Sequence, residues 1–417
     1  MKRKKIILSG LLVLGAVLVL PQNMVAQQAS KQDSINLLLN QNDSGLSNRL
    51  DQLEQLANHQ KYRNSHFMVV GLATMGFLFN STTSSTGGIS TTATSNSMAD
   101  ADRFEVSPMM LWRHGKRLLV EFEPSWNGNS LGVNWGDVSY FVKPGLIVRG
   151  GYLVLPFGIY NKRLAAGWIN KLGSDPMGIA DMPPSSDFGI EIEGGLPLGS
   201  MKWTYDFSLT NGMQMLGNGT IQNAGIVDNN PNKTVTGRMS LLPFSNSCLE
   251  LGVSGMYGNV GDANSSHIKA VSSMYAFDIN FVQKVGPILL NMKGQYNQIN
   301  ISRENFKSPV DSSLYSFNNQ SSSFFGQMSL RAISAPGIIK NFELAGRYLN
   351  YTTPANSTWG AISSEYDFAI DYWLTWRSVL KVVYESREVV NTTPLNLGGV
   401  IGSSRISNFI IQYSVQF

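Results

Sequence analysis

Between His66 and Phe417 the sequence breaks into sixteen segments in which apolar residues recur at every second position. They fall at 66–79, 104–113, 117–126, 133–142, 145–154, 187–197, 201–211, 233–242, 247–257, 270–282, 287–298, 322–333, 338–350, 364–375, 377–387 and 405–417. Period two is the repeat of a β-strand with one apolar and one polar face. It is cleanest where Trp203, Tyr205, Phe207 and Leu209 alternate with Lys202, Thr204, Asp206 and Ser208. It is nearly as clean from Asn408 to Phe417, where Ile410 is the one apolar residue on the polar side. The connections alternate in length. Short ones such as His114–Lys116, Lys143–Gly145 and Ser334–Gly337 carry the Gly, Pro and Ser that tight hairpins need. Long ones run over 80–103, 127–132, 155–186, 212–232, 258–269, 299–321, 351–363 and 388–404. Seven turns and eight loops then place both ends of the set on the turn side. A water-soluble β-sandwich has no reason to sort its connections in this way. The expectation is an all-β chain, a 16-stranded antiparallel transmembrane β-barrel with a short N-terminal periplasmic helix.

Composition agrees once alternation is considered. Charged residues make up 14% of the chain, against about 25% in ordinary domains. Hydrophobic residues reach 43%, yet after the first 27 residues no apolar run is long enough for a spanning helix. A barrel hides its hydrophobicity in every other residue, so an average does not show it.

The first residues read as an export signal. Lys2, Arg3, Lys4 and Lys5 precede an apolar run from Ile6 to Leu20, and Val25-Ala26-Gln27 offers small residues for cleavage. Residues 1–27 are therefore expected to be a signal peptide. Its four basic residues account for the formal charge of +4, which leaves the rest near neutral and gives no reason to expect a nucleic-acid partner. Residues 28–64 place Leu46, Leu50, Leu53 and Ala57 at helical spacings behind a capping Ser44. This row reads either as a self-association helix, coiled-coil-like over two heptads, or as an amphipathic helix at the barrel mouth. Residues 65–417 are expected to form the barrel.

The last strand, ending on the aromatic Phe417, resembles the terminal strand of bacterial outer-membrane barrels. In those proteins the terminal aromatic belongs to the signal read by the insertion machinery. The stretch from Gly145 to Gly178 resembles the strand-to-constriction-loop segment of the phosphate-selective porin O/P superfamily, in particular its Bacteroidetes-type members. It carries Arg149-Gly150-Gly151-Tyr152, Leu155-Pro156-Phe157-Gly158 and Ala166-Gly167-Trp168. Ser107 to Lys116 and Glu121-Phe122-Glu123 fit the same likeness. The resemblance implies a sixteen-stranded channel, often trimeric, in the bacterial outer membrane, with lipid and small solutes as partners.

Sixteen strands close to a width that side chains cannot fill, so a channel is expected unless something plugs it. The longest loop, 155–186, is the third on its side, which is the constriction loop of porins. Lys162, Arg163 and Lys171 in this loop outnumber Asp175 and Asp181, and Arg149 lies on the strand below. These four cations are the candidate constriction and selectivity residues, and rings of such residues favour anions. The wall itself is mixed. Alternation turns nine basic and twelve acidic side chains inward, including Arg238, Arg347 and Lys381 against Glu191, Glu193 and Asp371. The expected function is passive diffusion of small hydrophilic, weakly anion-preferred solutes. The alternative is a structural barrel subunit of a larger outer-membrane complex, its lumen blocked and its helix or loops holding partner proteins.

No catalytic, cofactor or metal site is expected. His59, His66, His114 and His267 fall on separate features, and no pair has metal-ligand spacing. Cys248 has no cysteine to pair with and reads as a lipid-facing or turn residue. The Ser- and Thr-rich stretch 80–98 is expected to be a mobile surface loop. Aromatics near strand ends, among them Trp112, Trp203 and Trp376, read as interfacial girdles.

Overall fold

The computed structural model describes residues 65–87, 89–98, 104–180, 184–223, 230, 232–400 and 402–417. The signal peptide and the helical segment expected within 1–64 lie outside the described residues.

The described chain forms a closed antiparallel barrel. Its staves are β1 (Ser65–Thr86), β2 in two segments (Ile89–Met98 and Glu105–His114), β3 (Leu118–Trp126), β4 (Leu131–Lys143), β5 (Leu146–Val154) and β6 (Ser186–Leu198). There follow β7 (Met201–Thr210), β8 (Thr234–Leu242), β9 (Leu249–Asn259), β10 (Val271–Val285) and β11 (Ile288–Ile301). The circuit ends with β12 (Gln320–Arg331), β13 (Phe342–Thr352), β14 (Ala361–Thr375), β15 (Ser378–Asn391) and β16 (Gly402–Gln416). Seventeen hydrogen-bonded segments make sixteen staves because both parts of β2 run along β1. Closure comes from β1 pairing with β16, from Leu72 opposite Gln416 to Thr86 opposite Gly402. A sheet can cross a bilayer only when closed in this way, since lipid offers its edges no hydrogen bonds.

Every expected strand is present. Two-residue turns join β4 to β5, β6 to β7 and β10 to β11, with Gly145, Gly199 and Gly286 at positive φ. The connection from β12 to β13 is longer than expected. A 3-10 turn over Gly337–Asn341 replaces the first residues of the predicted strand, following Pro336 and a left-handed Gly337.

One expectation is corrected outright. The stretch 80–98 is not a loop: β1 and β2 continue as a hairpin, with Phe77–Thr86 paired to Met98–Ile89. The β-branched threonines suit an extended backbone, and Thr83 and Thr92 hydrogen-bond across the pair at 3.0 Å. These segments need no apolar face where both sides meet water.

The outer surface is apolar. Phe207, Leu209, Val235, Met239, Val253 and Phe277 are among the large side chains left exposed there, which a barrel in lipid requires. On β16 Phe409 and Ile411 join this belt, whereas Ile410, Gln412 and Ser414 are buried on the lumen side. Ile410 breaks the polar alternation because it packs with Leu172, Ala345, Ala369 and Val383 inside the barrel. A second apolar cluster fills the loop end beside β9–β11. There Met256, Met274 and Ile299 of the wall meet Phe157, Met213, Met215, Phe306 and Phe317 from the loops. Among the described residues no helix is long and apolar enough to cross a membrane.

Candidate functional site

The chain from Leu155 to Ser185 leaves β5 and returns to β6, its ends joined by the Leu155 amide donating to the Ser185 carbonyl at 2.8 Å. Between them it crosses the lumen. Gly158 donates its amide to Ser254 Oγ on β9 at 3.0 Å, and the amides of Ile159 and Tyr160 share Gln295 Oε1 on β11 at 2.9 and 3.0 Å. Gly158 sits at φ +66°, and a Cβ there would lie 2.0 Å from Gln295 Nε2, so only glycine lets this glutamine approach. One helical turn, α1 (Tyr160–Arg163), follows. Farther on, Ser323 Oγ of β12 donates to the Met177 carbonyl at 2.9 Å and Arg347 Nη1 of β13 to the Ser174 carbonyl at 3.0 Å. The loop touches β6, β7, β9, β11, β12, β13, β15 and β16.

The four cations singled out in the sequence all lie along this path, each against carboxylates. Arg149, on β5, faces Glu121 at 2.8 Å, Asp137 at 2.9 Å and Glu193 at 3.4 Å. Lys162 Nζ lies 2.7 Å from Glu191, 3.1 Å from Glu193 and 3.7 Å from Asp206. Arg163 reaches Glu250 at 2.6 Å, and that carboxylate also takes Arg238, itself 2.6 Å from Asp278. Lys171 stands apart from the other three, 3.6 Å from Glu343 and 4.3 Å above the Trp373 ring, whose Nε1 donates to Glu343 at 2.8 Å. Arg149 and Lys162 share Glu191 and Glu193 and so form one cluster.

Five carboxylates surround the two cations of that cluster. Burial alone would lower the Lys162 pKa, but Asp206, Glu191 and Glu193 outweigh it and hold the group above its ordinary value. Oxygens of Glu191, Glu193 and Asp206 lie within 4.8 Å of one another, a spacing that suits a cation, and the Lys162 ammonium fills that role. Removing a partner from such a cluster leaves buried charge uncompensated. Arg149→Met is expected to destabilise the barrel by about 3–5 kcal/mol, read as a lower urea midpoint of the purified protein in liposomes.

Alternation found most of the lumen charges but not their partners, and two carboxylates that pair with them escaped it. Asp137 lies below a bulge at Asn134, where Glu123 pairs with Trp135 but Pro124 pairs with Val133, which shifts the facing of β4 by one residue. Glu365 lies at the edge of the predicted strand, and β14 begins earlier, at Ala361. It receives Arg387 Nε and lies 3.4 Å from Arg347. Of the described histidines, His66 and His114 lie at the turn end and His267 in an outer loop, 3.4 Å from Glu304.

The sequence matches no protein-family model and no curated protein. The fold does match solved structures. An anion-selective porin from Comamonas acidovorans superimposes with a TM-score of 0.52 at 12% identity, covering 84% of this chain and 99% of that one. The outer membrane channel DcaP of Acinetobacter baumannii gives 0.50 at 9% identity, with 85% and 98% covered. The trimer form of OmpT, an outer membrane protein of Vibrio cholerae, gives 0.50 at 7%, with 85% and 100% covered. The fold is the bacterial porin fold. At these identities the likeness to porins extends to the fold alone, and the contacts of the crossing loop are this chain's own.

Proposed function

We propose that the chain is an outer-membrane porin, a passive diffusion channel for small hydrophilic solutes in which the loop 155–186 is the constriction. The observation that carries this reading is the reach of the loop, bonded to Ser254 and Gln295 on one side of the lumen and to Arg347 on another. Arg149, Lys162, Arg163 and Lys171 then line the narrow part. Membership of the phosphate-selective porin O/P superfamily is part of the proposal, as is assembly into a homotrimer. Native mass spectrometry of the detergent-extracted protein tests the trimer, and monomers alone would rule it out.

The anion preference expected from the loop cations depends on their being free to meet a solute. Each is paired with wall carboxylates, and around Arg149 and Lys162 the acids are in excess. The field on a passing ion is therefore expected to be close to balanced and to lean toward cations. Planar-bilayer recordings test both points. Conductance steps on the order of a nanosiemens are expected of an aqueous pore this wide, with a reversal potential in a salt gradient of the cation-selective sign. Anion selectivity would restore the expectation drawn from loop composition.

A second reading has an observation of its own. Wall charges that would be wetted in a wide pore are buried, with Glu365, Asp367, Asp371 and Lys381 at 0% exposure. This suits a barrel with a blocked lumen that serves as one subunit of a larger assembly. Electrical silence of the pure protein, together with co-purifying chains, would favour that reading over the channel.

A further inference from the structure

Lys381, on β15, is wholly buried in the lumen. Its ammonium donates to three carbonyls of the crossing loop, Gly167 at 2.5 Å, Asn170 at 2.7 Å and Leu172 at 3.3 Å, and to Gln412 Oε1 at 3.0 Å. Directly opposite on β14 the register places Asp371. Inward-facing residues in such a pair are close enough for a direct ion pair. Yet Asp371 is equally buried, and neither of its carboxylate oxygens has a hydrogen-bond partner. The residue opposite Asp371 on its other side is Glu343. That carboxylate is already engaged by Ser329, Trp373 and Lys171 and has no proton to offer as an ammonium does. Lys381 and Lys171 act on Asp371 only through their charge, without a hydrogen bond. A buried carboxylate with no hydrogen bond is costly, and the cation that the sheet sets opposite it has its ammonium turned to the loop.

We propose that Lys381 is a two-position latch that positions the constriction loop. In one position it binds the loop carbonyls and holds the segment 166–174 against the wall. When that segment leaves, the same ammonium swings to Asp371, and the charge pair offsets the three lost hydrogen bonds. Two discrete partners for one flexible side chain make a bistable element and not a continuous one. Release would also free the Ser174 carbonyl from Arg347 and separate Leu172 from Ile410, so one displacement clears the path beside β13, β15 and β16. This inference rests on the reading of 155–186 as the element that obstructs the channel.

The two latch residues should act in opposite directions. In single-channel recordings of the full protein, Lys381→Met removes the loop's hold and should raise the fraction of time spent open by about tenfold, as for the loss of one hydrogen-bonded charge. Asp371→Asn removes the competing partner and should lower that fraction by a similar factor. A variant lacking 166–174 serves as reference, and heat-modifiable gel mobility verifies that each barrel has formed; Lys381→Gln replaces Lys381→Met should the latter not fold. If the shortened loop raises conductance but the two substitutions move the open fraction the same way or not at all, the latch is overturned and the constriction stands. If the shortened loop leaves conductance at the wild-type level, the constriction reading fails and the latch with it.

Discussion

Gly71→Val is expected to abolish the folded barrel. Gly71 lies on β1 at the seam, opposite Pro108 of β2 and bonded on its other side to Phe417. Its amide donates to the Phe417 carbonyl, and its carbonyl accepts from the Phe417 amide, both at 3.0 Å. A Cβ at this position would stand 2.6 Å from Phe417 Cζ and 2.7 Å from the backbone oxygen of Ser107. The ring could turn away, but the Ser107 carbonyl belongs to the sheet and cannot. Any adjustment must separate β1 from β2 or from the end of β16, and either one opens an edge. In hydrocarbon each backbone group left unpaired costs on the order of several kcal/mol, so a few lost pairs exceed the stability of the whole fold. The expected result is no heat-modifiable band and no protein recovered from the outer membrane. Gly326→Ala is the control, since a Cβ there meets nothing closer than the Phe324 ring at 3.5 Å. A Gly71→Val barrel with wild-type heat resistance would mean that closure does not depend on this contact.

The seam also shows which parts of the protein could be read from its residues. Strand identity follows from alternation, a property of neighbours in sequence, and so all sixteen staves were legible. The hairpin at 80–98 was not, because serine and threonine on both faces leave no apolar period to detect. Ile410 was visible only as an exception. Its reason, Leu172, lies in a loop far away along the chain, and no local pattern connects the two. The candidate site divides in the same way. Alternation and loop length marked Arg149, Lys162, Arg163 and Lys171, but the carboxylates that hold them come from β3, β4, β6, β7, β9 and β13. Those pairings are set by where the loop crosses the lumen, which is tertiary information. Gln295 had no charge to draw notice, yet it holds two loop amides.

That crossing can be fixed covalently, and the second large effect is expected there. A Cβ built on Gly173 lies 3.5 Å from Ile410 Cβ, at the near end of the separation that disulfides span. The backbone at Gly173 is outside the left-handed region, so a cysteine carries no strain of that kind. In a Cys248→Ser background, which removes the free thiol at the turn before β9, Gly173→Cys with Ile410→Cys should form the bond under mild oxidation. Removing the isoleucine side chain costs about 2–4 kcal/mol of packing against Leu172. The reduced protein should therefore release the loop more readily than the wild type does. Oxidation reverses the sign, because the bond holds 173 against β16 whatever Lys381 does. Oxidised and reduced forms of one protein share every other change, so their difference reports the loop alone. The reduced channel should open at least tenfold more often than the oxidised one, the ratio given by about 1.4 kcal/mol of restraint, and reductant added during a recording should restore openings. Equal conductance in both forms, with the disulfide verified by mass, would place the solute path elsewhere than beside this segment of the loop.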